Sequence, residues 1–107
     1  MKKTLLATAI VAAMTTSALA GEEVKVGVIL GFTGPIESLT PDMAASAELA
    51  FKEASASGQL LGGKTIKPIR KDSTCIDAAA ATANAEALIT AEGVAAIFGA
   101  DCSGVTG

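Results

Sequence analysis

VKVGVIL, residues 24–30, is rich in β-branched side chains and almost wholly apolar. A strand with one wet face would alternate apolar and polar residues; this run does not. It therefore reads as a strand covered on both faces, the pattern of a parallel sheet sandwiched between helices. That pattern sets the fold class as α/β.

Downstream, Thr40-Pro41-Asp42 offers an N-cap, a proline for the first helical turn and an acid beside it. Met43, Ala47, Ala50, Phe51 and Ala54 follow at helical spacing, which predicts a helix over about 41–57, stopped by Gly58. Residues 65–71, TIKPIRK, alternate with period two, and Pro68 removes a ladder donor from their middle. A strand with that proline belongs at a sheet edge. Asp77 caps a second helix to about Ala91, built on Ala79, Ala80, Ala83, Ala87 and Leu88, with Gly93 just beyond it. Residues 94–98, VAAIF, read as a short buried strand.

Strand, helix, strand, helix, strand, joined by right-handed crossovers, gives a parallel sheet of order 2-1-3 with the helices on opposite faces. That order puts the proline-bearing strand at the edge, as its composition requires. The closing SGVTG, residues 103–107, reads as the start of a third helix. A three-stranded parallel sheet leaves surface that further elements normally cover, so the chain is expected to be the first part of a larger lobe.

The chain opens MKKTLLATAIVAAMTTSALA, with two lysines, an apolar run and the triplet Ala18-Leu19-Ala20. This is the pattern of a secretory signal peptide over residues 1–20, too short and too interrupted to serve as a membrane span. Lys2 and Lys3 fall within it, so the remaining 87 residues carry six basic and eleven acidic side chains, a formal charge of −5. Such a balance disfavours nucleic acid and anionic lipid as partners. Export also bears on Cys75 and Cys102. An even pair in an oxidising compartment suggests one bridge rather than two free thiols, and the spacing excludes C-x-x-C redox chemistry. With no histidine anywhere in the chain, neither a metal site nor a cofactor is expected.

GQLLGGKT, residues 58–65, fits the phosphate-loop pattern G-x-x-x-x-G-K-[ST]. That motif works when a strand leads in and a helix leads out, so that backbone N–H groups face the phosphates. Here a helix leads in and a strand leads out. The stretch reads as a turn with Lys64 solvated, and no nucleotide is expected.

In an open parallel sheet, ligands bind beyond the carboxyl ends of the strands where the order reverses, here between strands one and three. Two segments emerge there, residues 31–39 and residues 99–104. Ser103 could present a hydroxyl, with neighbouring N–H groups, to a carboxylate, or it could simply cap the helix that follows. Spacing does not choose between them. Catalysis at Ser103 lacks a histidine partner, and Asp101 is more easily a loop acid than a general base. Thr33 and Ser38 are ordinary loop hydroxyls or ligand contacts; Leu39 is a helix staple or an apolar pocket wall.

Three stretches, VKVGVILGFTGPIESL (24–39), AELAFKEASASGQLLGGKTIKPIRKDSTC (47–75) and VAAIFGADCSGVTG (94–107), resemble the substrate-binding proteins of branched-chain amino acid ABC transporters, of the leucine/isoleucine/valine-binding type. The resemblance implies a type I periplasmic-binding-protein fold of two lobes, with residues 21–107 forming part of the N-terminal lobe and the second lobe absent from this chain. It implies a periplasmic, non-enzymatic protein that captures a small aliphatic amino acid and hands it to a membrane permease. It also implies a disulfide between Cys75 and Cys102, and a contact from Ser103 to the ligand α-carboxylate, with Ala100, Asp101 and Gly104 around it. Ser38 and Leu39 would form part of the pocket wall. The same resemblance leaves room for a short amide or aromatic carboxylate as ligand, or for the ligand-sensing ectodomain of a receptor.

Overall fold

The computed structural model describes residues 22–107, so the expected leader over residues 1–20 lies outside the described residues. The elements run β1 (Glu23–Leu30), α1 (Thr40–Ala56), a 3-10 turn (Leu60–Gly62), β2 (Thr65–Asp72), α2 (Ala78–Thr90), β3 (Ala96–Phe98) and α3 (Ser103–Thr106). The sheet has the order β2-β1-β3, and both pairings are parallel. Val26 stands opposite Pro68 on β2, which among the described residues pairs only with β1. The edge position expected for the proline strand is the one observed.

β1 is the centre of the core. Val28 and Leu30 pack with Ala44 of α1, joined by Phe32 and Phe51. The alternate side chains face α2: a Cβ on Gly27 would lie 2.7 Å from Leu88, so the missing side chain lets that helix settle onto the sheet. The two helices thus cover opposite faces, as the crossover rule requires. Burying such apolar side chains supplies about 1.5–3 kcal/mol for each of the larger ones.

Local details depart from the sequence reading. Thr40 does not cap α1 from outside; Leu39 holds the cap position without a side-chain hydrogen bond, and Thr40 turns its hydroxyl inward to donate to the Gly31 carbonyl at 3.0 Å. The inward face of α1 runs through Thr40, Ala44 and Phe51, whereas Met43 and Ala50 are exposed. On α2, Ala81 and Leu88 are buried, and Ala79 and Ala83 face outward. Where most residues are alanine, hydrophobic spacing carries little information about helix phase. Asp77 caps α2 as expected, accepting from Ala80 N–H at 3.0 Å. β3 is shorter than the expected 94–98 and is not buried, with Phe98 43% exposed. Among the described residues only β1 pairs with it, so its other edge is open.

Candidate functional site

Three loops leave the carboxyl ends of the strands: residues 31–39, 73–77 and 99–102. They converge on the end of β1. Ser73 N–H donates to the Leu30 carbonyl at 2.8 Å, drawing the loop after β2 over the central strand. Thr74 and Cys75 hold positive φ values of 60° and 70°, a left-handed turn that side chains adopt at a cost. That turn aims Cys75 at Cys102, and the two form a disulfide with Cα atoms 5.2 Å apart.

The loop after β1 is fixed from the same side. The Thr33 hydroxyl donates to Asp72 at 2.5 Å, and the N–H groups of Thr33 and Thr74 donate to the same carboxylate at 3.3 and 2.8 Å. Burial pushes the Asp72 carboxyl up, but these donors, led by the Thr33 hydroxyl, outweigh it and hold the group below its ordinary range. At Gly34, φ is +97° and any Cβ would strike the Thr74 carbonyl oxygen, so the two loops touch backbone to backbone.

The loop after β3 leaves the sheet at Gly99, where φ is +120° and a Cβ would strike the Ile29 carbonyl oxygen. Asp101 then folds back onto β1, accepting from Gly31 N–H at 3.0 and 3.2 Å and from the Ser73 hydroxyl at 3.4 Å. Cys102 takes the cap position of α3 with extended backbone and no side-chain cap. Ser103 is therefore the first helical residue rather than the cap, and it is exposed. This removes the simplest structural role for its hydroxyl. Gly104 is exposed beside it, and Ala100 is half-buried.

Ser38 and Leu39 lie on the same rim at the start of α1, both exposed, Leu39 to 60%. An apolar side chain so placed leaves most of its surface uncovered by the described residues. The rim offers a hydroxyl and a helix start from one loop and an apolar wall from the other, a combination suited to a small molecule with an acidic end and an aliphatic end. A separate groove of about 270 Å³ lies beside β3, between α2 and α3, lined by Ile29, Ala85, Ile89, Ile97 and Val105. It reaches Ala100 but none of Ser38, Leu39 or Ser103, so it is not the rim site.

Residues 23–107 match the periplasmic binding protein family. The chain belongs to that family. Over 104 residues it is 35% identical to the Leu/Ile/Val-binding protein homolog 7 of Brucella melitensis biotype 1 and to that of Brucella suis biovar 1, a match covering 97% of this chain and 25% of each relative. A crystal structure described as that of a possible leucine/isoleucine/valine-binding protein from Rhodopirellula baltica SH 1 superposes with a TM-score of 0.66 at 27% identity, covering 79% of this chain and 22% of that one. The chain thus spans about a quarter of the length of the curated relatives it matches.

The periplasmic binding protein family is a non-enzymatic substrate-binding class, and membership implies an extracytoplasmic location. The disulfide fits such a compartment. Among the described residues no helix is long and apolar enough to cross a membrane, and no cluster of metal-ligating side chains occurs. The residues that sequence reasoning missed are those that build the rim rather than line it: Gly31, Thr40, Asp72 and Ser73. Asp72 and Ser73 find their partners in other loops, and Gly31 and Thr40 meet across the length of one loop, so spacing along the chain gives no signal for them.

Proposed function

We propose that this chain forms part of the N-terminal lobe of an extracytoplasmic protein that captures a branched-chain or other small aliphatic amino acid and delivers it to an ABC transporter permease. Residues 1–20 serve as its export signal. The observation that carries the reading is the exposed Ser103 at the start of α3, uncommitted to helix capping, on a rim pinned by the disulfide and the Asp101 contacts. Its hydroxyl and the N–H groups of the first turn of α3 receive the ligand carboxylate, a charge-assisted contact worth about 1.5–3 kcal/mol. Ser38 and Leu39 face the aliphatic side chain. The ammonium partner and the opposing wall come from a second lobe that closes over the ligand.

Titration calorimetry on the full-length protein with leucine, isoleucine, valine and a panel of other amino acids tests this. Saturable heat with an aliphatic member is the expected result; no heat with any amino acid contradicts it. Mass spectrometry of the exported protein checks the leader, with an N-terminus at Gly21 expected.

A further inference from the structure

The loop that carries Ser103 is tied to the sheet in two directions. The disulfide holds Cys102 to the loop after β2, which fixes it sideways. The carboxylate of Asp101 holds it down onto β1. β1 and β3 pair with Val28 opposite Phe98, so position 101 stands where the ladder, if it continued, would face Gly31. Instead of a backbone carbonyl, the Asp101 side chain accepts the buried Gly31 N–H, through both oxygens at 3.0 and 3.2 Å. A buried N–H needs a partner, and this one is supplied by the ligand loop. The Ser73 hydroxyl, fully buried, reaches the same carboxylate at 3.4 Å, while the Thr40 hydroxyl takes the Gly31 carbonyl on the other side of that residue.

We propose that Asp101 is a positioning residue for ligand binding: its carboxylate clamps the loop after β3 to the end of β1 and so holds Ser103 in register with the ligand carboxylate. The role rests on the reading of Ser103 as a ligand contact. Its oxygens are committed to internal donors, so Asp101 acts through Ser103 and not as the acid that meets the ligand ammonium. A binding group is only as effective as the shell that fixes it, and a loop with the disulfide alone would still pivot about Cys102.

The test uses the full-length protein and two readouts. Without ligand, hydrogen exchange at the Gly31 amide in Asp101→Ala is expected to speed up by about tenfold or more, because a charge-assisted bond is lost. With leucine as probe, calorimetry is expected to show a loss of about tenfold in affinity for Asp101→Ala, and recovery of most of it in Asp101→Asn, which keeps one acceptor oxygen. In a Ser103→Ala background, Asp101→Ala should cost no further affinity, since both changes remove one coupled contact. Unchanged exchange at Gly31 overturns the clamp. Equal affinity losses in both backgrounds overturn the coupling to Ser103 and make Asp101 a direct ligand contact or a general fold residue. If the unaltered protein binds no leucine or other amino acid, the reading of Ser103 fails and takes the binding role with it, while the Gly31 exchange still reports the clamp separately. Should Asp101→Ala fail to fold, Asp101→Asn against Asp101→Ser carries the same comparison.

Discussion

The Cα atoms of Cys75 and Cys102 stand 5.2 Å apart, although the two residues follow strands that flank β1 on opposite sides. Strands two positions apart in a sheet are separated by about 9.5 Å, so both loops must lean inward over β1 to meet. The left-handed turn at Thr74 and Cys75 and the fold-back at Asp101 bring them together. The disulfide therefore roofs the end of the central strand and stiffens the loop that bears Ser103.

Reducing the disulfide, or replacing both cysteines by serine, is expected to lower stability by about 3–4 kcal/mol, the chain-entropy value for a loop of this length. Urea unfolding with and without reductant measures it. Ligand affinity should fall as well; if both quantities stay unchanged, the bridge is not a constraint on the rim.

Gly99→Ala is expected to destabilise by more than about 2 kcal/mol, because a side chain there meets the Ile29 carbonyl oxygen in a backbone conformation that disfavours it. Gly93→Ala is the control. It also has positive φ but open space around it, so its cost should stay near about 1 kcal/mol. Equal denaturation midpoints for the two variants would contradict the close approach.

Stability should fall on acidification, with Glu48 and Asp72 each contributing to the loss. Arg70 donates to Glu48 at 2.6 and 2.9 Å while lying 5.4 Å from the Phe32 ring centre, and that hydrogen bonding holds the Glu48 carboxyl below its ordinary value of 4.5. A carboxyl whose folded pKa is depressed contributes stability that is complete above its unfolded value and is lost as pH drops through the folded one. The loss should begin near pH 4.5 for Glu48 and near 3.8 for Asp72 and continue below them. Thermal unfolding from pH 6 to pH 3 measures the slope, and Glu48→Gln should flatten it. The contribution of Glu48 is small, since the Arg70 side chain is 43% exposed.

Lys64→Ala should leave ligand affinity intact, and nucleotide should not shift the melting temperature. Lys64 lies just before β2, at the sheet end opposite the rim; its N–H donates to the Leu60 carbonyl at 3.0 Å and its ammonium lies 3.3 Å from Glu22. The 3-10 turn enters a strand and not a helix, so no fan of N–H groups awaits a phosphate. A nucleotide-dependent rise in melting temperature would contradict this.

The sheet order, the edge place of Pro68, the cap at Asp77 and the rim of loops were all legible because each depends on local chemistry: an apolar run, a missing donor, a capping oxygen. The faces of the helices were not. Met43 and Ala50 have the right spacing for an inward stripe, yet the face that meets β1 runs through Thr40 and Ala44, and a helix rich in alanine does not mark its own phase. Residues 94–98 look buried by composition, yet burial of β3 depends on neighbours that strand composition does not specify. Spacing leaves Ser103 open as a cap or a binding group; the backbone of Cys102, extended and in the cap position, shows only that Ser103 is not the cap. Asp101 read as a loop acid, and its contact with Gly31 spans 70 residues.

The central claim is that Ser103 receives a ligand carboxylate. Its most direct test is the affinity of the full-length protein and its Ser103→Ala variant for leucine and for leucinamide, which lacks the carboxylate charge. A loss of about tenfold to a hundredfold is expected for leucine, with little change for leucinamide. Equal affinity of the two proteins for leucine would contradict it.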